Sequence, residues 1–75
     1  MDSYYLTEEG RARFRRRKIV LETEPPNNDD KMMDYLFGHT SGTVEELVAA
    51  TGLTYDYVSD KLLVFMNHGL IQRSS

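Results

Sequence analysis

Apolar residues recur at helical spacing in three segments that follow the Pro25-Pro26 pair. The first segment ends at Gly38, a residue that favours helix termination, and either Asn28 or Asp29 can cap its start. Its apolar residues lie three and four positions apart, as on one face of a helix. They are Met32, Met33, Leu36 and Phe37. This spacing predicts the first helix of a three-helix core.

Two shorter helices are predicted next, separated by a three-residue turn. Thr43 and Glu46 form a capping-box pattern, in which the hydroxyl accepts a bond from the amide three residues on and the carboxylate reaches back. The second helix therefore starts at Val44 and stops at Gly52, which suits the left-handed conformation. Thr54 then caps a third helix that runs from about residue 55 to residue 67.

The N-terminal part of the chain predicts a strand followed by a basic helix. Residues 4–6 are Tyr-Tyr-Leu, which suits a short strand, and Thr7 is placed as the N-cap of a helix that begins near Glu8. This helix has no single apolar face, so residues 19–21 are either its last turn or an extended segment. Residues 25–29 contain the proline pair and form a linker within the domain.

The segment from Glu45 to Ile71 resembles the winged-helix transcription-regulator superfamily. That family's pattern is Glu-Glu-Leu-x-x-x-Thr-Gly-Leu-Ser/Thr-x-x-x-Val-Ser-x-x-Leu-x-x-Leu-x-x-x-Gly-Leu-Ile/Val, and here Phe65 replaces the second leucine of the third helix. The apolar places of a helix-turn-helix, inside both helices and after the turn glycine, are filled by Leu47, Val48, Leu53, Val58 and Leu62. Residues 31–36 look like the family's first helix, so the resemblance covers residues 30–73. It implies a helix-turn-helix with a recognition helix.

The opening of the chain also resembles an element of that family. Tyr4-x-Leu6-Thr7-Glu8-Glu9-Gly10 is similar to the strand and helix that normally follow the wing, although here they come first. Gly69 ends the third helix, and residues 70–72 are the final strand candidate. The sequence stops at Ser75, which leaves no room for an ordinary wing hairpin. We therefore predict that residues 4–6 pair antiparallel with residues 70–72.

The third helix has an apolar side and an acidic side. The helical period directs one set of residues toward the core: Tyr55, Val58, Leu62, Phe65 and Met66. The opposite side presents Asp56, Asp60, Leu63 and Asn67, and two carboxylates near a phosphate backbone are repelled. The candidate DNA contacts on this helix are Thr54, Tyr55, Tyr57, Ser59 and Lys61. The candidate protein contacts are Tyr57, Leu63 and Val64, which alternatively pack on the N-terminal helix.

The only basic cluster of the chain lies outside the helix-turn-helix. Residues 1–24 hold six basic and five acidic side chains, whereas residues 25–75 hold three basic and seven acidic ones. The N-terminal helix is therefore either a phosphate-contacting element or a solvated face balanced by its own glutamates. Its candidate DNA contacts are Arg13, Arg16, Arg17 and Lys18.

Composition excludes several classes of site. The chain has no cysteine, so a disulfide, a thiolate nucleophile and a cysteine-rich zinc site are all impossible. Two histidines, His39 and His68, are not at a metal-ligand spacing, and the paired carboxylates sit at helix starts, where negative charge is stabilised. The sequence contains no phosphate-binding glycine loop. We expect no enzyme activity, catalytic residue, metal or cofactor.

The sequence thus predicts a mainly α protein with a small β element, folded as a single winged-helix-like domain over residues 1–75. Residues 1–24 supply a strand and basic helix, 25–29 a linker and 30–73 the helix-turn-helix core. The predicted function is that of a DNA-binding transcriptional regulator acting on double-stranded DNA, with a protein-protein interaction or homodimerisation module as the alternative. No signal peptide or membrane span is apparent, so we expect a cytoplasmic protein.

Overall fold

The computed structural model describes residues 2–74, which form four helices and one two-stranded sheet. The chain is mainly helical, as predicted. Its elements are β1 (Ser3–Leu6), α1 (Glu8–Val20), α2 (Asn28–Gly38), α3 (Val44–Thr51), α4 (Tyr55–Asn67) and β2 (Ile71–Ser74). Among these residues, no helix is long and apolar enough to cross a bilayer.

The sheet joins the N-terminal and C-terminal parts of the chain. β1 and β2 are antiparallel, with Tyr5 opposite Gln72 and Leu6 opposite Ile71. This pairing confirms the prediction, although β2 starts one residue later than expected and extends to Ser74. On its other side, Tyr4 exchanges two backbone hydrogen bonds with Gly42, with N···O distances of 2.8 and 2.9 Å. β1 is therefore hydrogen-bonded on both sides, to β2 along its length and to Gly42 through a single bridge.

Local capping signals explain most of the helix boundaries. The capping box of Thr43 and Glu46 is present, Gly52 has a φ of 74°, and the Thr54 hydroxyl accepts a bond from the Tyr57 amide. One predicted cap is wrong, since α2 is capped by Asn27 and not by Asn28 or Asp29. Asn27 and Asp30 form a second capping box, which satisfies amides at the helix start and moves that start toward the prolines.

Residues 19 and 20 belong to α1, so the extended alternative for this segment is wrong. Leu21 caps the helix in a right-handed conformation, and its amide donates to the Arg17 carbonyl. Of the α1 side chains, only Phe14 is a large buried apolar group. α1 is therefore attached to the core by a narrow contact, and most of its surface faces solvent.

One apolar core draws residues from every element. It comprises Leu6, Phe14, Met32, Met33, Leu36, Val44, Leu47, Val58, Leu62, Phe65, Leu70 and Ile71. The predicted inward positions Val58, Leu62 and Phe65 of α4 are buried, and Met66 is half-buried. The expectation for Tyr55 is wrong, because this side chain lies at the first turn of α4 and is 56% exposed. A residue at a helix start extends beyond the neighbouring helices that cover the middle of its face.

The approach of α1 to the segment before β2 depends on Gly10. The Thr7 amide donates to the Leu70 carbonyl at 3.0 Å, and the Thr7 hydroxyl donates to the Gly69 carbonyl at 2.7 Å. A Cβ atom at Gly10 would overlap the Leu70 carbonyl oxygen, which is backbone and has little freedom to move. Only glycine allows α1 to lie this close.

We expect Gly10→Ala to lower the free energy of unfolding by about 2 kcal/mol or more, because the added methyl group forces α1 and the Leu70 backbone apart. For a domain of this size, the melting temperature should fall by about 10 °C. Thermal unfolding followed by circular dichroism measures this change. Gly38→Ala is the matched control, since a Cβ there meets nothing within 4 Å. Equal melting temperatures for both variants would contradict the close approach.

Candidate interaction surfaces of α1 and α4

Three of the six basic side chains of α1 surround one aromatic ring. The guanidinium carbons of Arg11 and Arg15 lie 5.4 and 6.0 Å from the centre of the Phe37 ring, and the Lys18 ammonium lies 4.9 Å from it. Each distance is in the range of a cation–π interaction. Phe37 also packs on Phe14, with ring centres 5.6 Å apart. These three cations thus help to hold α1 on α2. Lys18, predicted as a DNA contact, is exposed and belongs to this group.

Arg17 is committed to a second internal contact. Its Nε and Nη2 atoms donate to the two carboxylate oxygens of Asp30, both at 2.9 Å. This two-bond geometry matches the guanidinium to the carboxylate and adds specificity. The bonds from Arg17 hold the pKa of the buried Asp30 below its ordinary value, against the opposing effect of burial. Arg17 was predicted as a DNA contact, but its donors are occupied within the chain.

Arg13 and Arg16 are the two α1 arginines that contact neither the Phe37 ring nor a carboxylate within residues 2–74. Both side chains are exposed, and within residues 2–74 neither forms an ion pair or a side-chain hydrogen bond. They border an open cleft of about 320 Å³ whose floor includes Phe14, Phe65 and Leu70. The exposed apolar residues Ile19 and Val20 follow them along the helix. This part of α1 combines positive charge with uncovered apolar surface.

The outward side of α4 combines negative charge with uncovered apolar surface. Asp56, Asp60 and Asn67 are exposed along it, as the helical period predicts. Leu63 is 57% exposed and Val64 is 42% exposed, so the alternative in which these two side chains pack on the N-terminal helix is wrong. Both apolar residues are open to a partner.

Tyr57 and Lys61 are held on the side of α4 by a carboxylate of α2. The Tyr57 hydroxyl donates to Asp29 Oδ1 at 3.0 Å, and the Lys61 ammonium lies 3.5 Å from Asp29 Oδ2. Partial burial, together with this bond to Asp29, raises the pKa of the Tyr57 hydroxyl. The one lysine of α4 is therefore partly neutralised within the chain, and both residues have a structural role.

The three remaining predicted DNA contacts at the start of α4, Thr54, Tyr55 and Ser59, differ in how exposed they are. Thr54 is exposed, although its hydroxyl already accepts the Tyr57 amide at 3.1 Å. Tyr55 is exposed and Ser59 is half-buried. These three residues bring no positive charge to the helix start, where Asp56 adds a negative one.

Sequence reasoning missed three residues that shape these surfaces: Asp29, Asp30 and Phe37. From the sequence, the acidic pair supplies helix-start charge with Asp29 as a candidate cap, and Phe37 is an apolar residue of the first core helix. One local signal was present, because Asn27-x-x-Asp30 is a capping-box spacing. No local signal indicates that Arg17 or Lys61 binds these carboxylates, since the partners are 13 and 32 positions apart.

Other polar groups have structural explanations. His39 stacks on Tyr35 at 3.9 Å between ring centres, and its Nδ1 atom lies 2.7 Å from the Tyr35 carbonyl oxygen. Across residues 2–74, no group of three histidine, aspartate or glutamate side chains is arranged to hold a metal ion. The two helix surfaces are therefore the features that call for a functional interpretation.

Comparison with known proteins adds no further assignment to these surfaces. No protein-family model, curated protein or solved structure matches the chain. The exposed groups and the internal contacts of α1 and α4 therefore carry the functional interpretation.

We expect Asp30→Asn to lower the free energy of unfolding at neutral pH by about 1 kcal/mol or more, because an uncharged amide has one acceptor oxygen and cannot accept both Arg17 bonds. The folded-state pKa of Asp30 is depressed, so its stabilising effect is complete above the ordinary carboxyl pKa of 3.8 and is lost as the pH falls through the folded-state value. The difference between wild type and variant should therefore disappear in acid.

Urea unfolding at several pH values tests this expectation. Asp34→Asn is the control, since Asp34 is exposed on the same helix and has no ion pair within the described residues. A difference for Asp30→Asn that persists unchanged below the depressed folded-state pKa of Asp30 would show that charge is not its cause.

Proposed function

We propose that this protein is a winged-helix-like module whose outward α4 surface binds another protein. The helix-turn-helix assignment is supported by the order of α3, a turn at Gly52 and α4. It is also supported by the position of β1, which lies between Gly42 and β2. The observation that carries the function is the composition of the exposed α4 surface. It offers two carboxylates and two exposed aliphatic side chains, and its single lysine is bound to Asp29.

The position that reads DNA in a helix-turn-helix is the start of the second helix, which enters the major groove. Here that start carries Asp56 and, one turn later, Asp60. Phosphate contacts supply most of the affinity of DNA-binding proteins, and they need cations close to the groove. Aliphatic side chains beside a few charges are instead typical of protein interfaces.

DNA binding is the second candidate, and α1 supplies the observation that favours it. Arg13 and Arg16 are exposed and unpaired within residues 2–74, so they are available to phosphate groups. In this proposal the chain is a regulator that contacts duplex DNA through α1, with Tyr55 and Ser59 near the bases. Arg17, Lys18 and Lys61 contribute less, because they are engaged internally.

Anisotropy titration with a labelled mixed-sequence duplex distinguishes the two candidates. We expect no saturable binding at low salt below about 100 µM, which is weaker than ordinary non-specific binding. Micromolar binding that weakens steeply with salt would favour the DNA-binding candidate. In that case Arg16→Glu should lower the salt slope by about one, whereas Lys31→Glu, with the same change of charge on α2, should not.

Photocrosslinking tests the protein-binding proposal directly. A photoreactive phenylalanine derivative replaces Leu63 on α4, and in the control it replaces Ala49, which is exposed on α3. In extract from the source cells, we expect a specific crosslinked polypeptide from position 63 and none from position 49. The crosslinked protein is then identified, purified and titrated against wild type and Leu63→Lys. Equal crosslinking at both positions, or equal affinities in the titration, would contradict the proposal.

A further inference from the structure

Two exposed helix surfaces of this chain are complementary in charge. We define the basic face as Arg13, Arg16, Ile19 and Val20 of α1, and the acidic face as Asp56, Asp60, Leu63 and Val64 of α4. Five large apolar side chains are exposed in the part of the chain that the structure describes, and four of them lie on these two faces. Ile19 is 68% exposed, the highest value of the five. Uncovered apolar surface is thus concentrated beside opposite charges.

The two faces also match in their order along the helices. On each helix the two charged residues come first and the two aliphatic residues follow one turn later. At a rise of 1.5 Å per residue, the basic face is about 10.5 Å long and the acidic face about 12 Å. When an α1 helix is placed beside an α4 helix and parallel to it, three residue pairs come together: Arg13 with Asp56, Arg16 with Asp60, and Ile19 with Leu63. An antiparallel arrangement would place the arginines on the aliphatic pair.

This match is not used within one chain. Within residues 2–74, the charged groups of Arg13, Arg16, Asp56 and Asp60 form no ion pair, and the four aliphatic side chains remain exposed. The α1 and α4 helices instead border the open cleft above Phe65. A second copy of the same chain offers both a basic and an acidic face of matching length.

We propose that the basic face of one copy docks in parallel on the acidic face of a second copy. This inference rests on the proposed function, since it names the partner of the α4 surface. When the contact is repeated by a two-fold axis, each copy supplies α1 to its partner and receives the partner's α1 on its own α4. The dimer then contains two equivalent contacts, each with two charge pairs around an aliphatic centre.

A charge-swap experiment tests the docking. One variant combines Arg13→Glu with Arg16→Glu, and the other combines Asp56→Arg with Asp60→Arg. Sedimentation equilibrium should show wild-type dimers, and in each variant the like charges should raise the dissociation constant by about tenfold or more. An equimolar mixture of the two variants should again dimerise, because both contacts of the mixed dimer then join opposite charges.

Controls separate docking from folding and from net charge. Asp34→Arg combined with Glu45→Arg changes the net charge as the α4 variant does, on exposed positions outside both faces, and should leave the dimer intact. Circular dichroism verifies that each variant is folded. If a reversal prevents folding, a neutral double variant replaces it. The two neutral variants are Arg13→Gln with Arg16→Gln, and Asp56→Asn with Asp60→Asn. Each should weaken the dimer because it removes the charge attraction without adding repulsion.

Two results would overturn the docking. One is a wild-type chain that stays monomeric at about 0.5 mM, which sets the dissociation constant of the dimer well above that concentration. The other is a mixture of the charge-swapped variants that fails to associate. If the chain is monomeric while position 63 crosslinks to a different polypeptide, this inference fails and the proposed function stands. If position 63 crosslinks to no polypeptide, both fail.

Discussion

The contact on which the rest of the structure depends is the attachment of the β1–α1 segment to the backbone before β2. α1 has only one large buried apolar side chain, so burial of its surface contributes little to holding it in place. Three contacts with the backbone attach the segment. Ser3–Leu6 pairs with β2, Thr7 forms two hydrogen bonds to the carbonyls of residues 69 and 70, and Gly10 lets the helix approach the Leu70 carbonyl. Without it, both the cation cluster around Phe37 and the cleft beside Phe65 would be lost.

Once α1 is attached, its charges divide into two groups. Arg11, Arg15, Lys18 and Arg17 face α2, where a phenylalanine ring and a buried carboxylate hold them. Arg13 and Arg16 point away from these partners and stay in solvent. A helix that looks uniformly basic in sequence therefore places four of its six cations against groups of α2, while Arg13 and Arg16 have no such contact. α4 shows the same division, since Asp29 binds Lys61 while Asp56 and Asp60 remain exposed.

Where a structural feature depends on residues a few positions apart, the sequence predicted it correctly. The capping box at Thr43, the turn at Gly52 and the bounds of α4 are of this kind, and each follows from hydrogen bonds within four residues. The strand pairing was also predicted, but through the family resemblance and not from local patterns. The inward position of Tyr55 was wrong, because helical period gives direction and does not reveal where the covering helices end.

The functional surfaces were less predictable than the fold, for a physical reason. Whether Arg17 or Arg16 is available to a partner depends on Asp30, which reaches one of them and not the other. Both arginines have the same intrinsic properties, and only the packing of α1 against α2 distinguishes them. The exposure of Leu63 and Val64 is likewise a tertiary property, since helical period alone allowed the N-terminal helix to cover them.

The pairing of Ser3 with Ser74 has a consequence for how the chain reaches its native state on a ribosome. β1 is synthesised before all four helices and its partner β2 after them, so the sheet forms only once the helices between the two strands have been made. Until then α1 lacks the surface against which Gly10 packs, while residues 28–67 already contain the three helices that share most of the core. Contacts between residues far apart in sequence form slowly, because a long loop must close first. The nascent chain therefore passes through a stage in which its arginine-rich segment is untethered beside a partly assembled helical bundle.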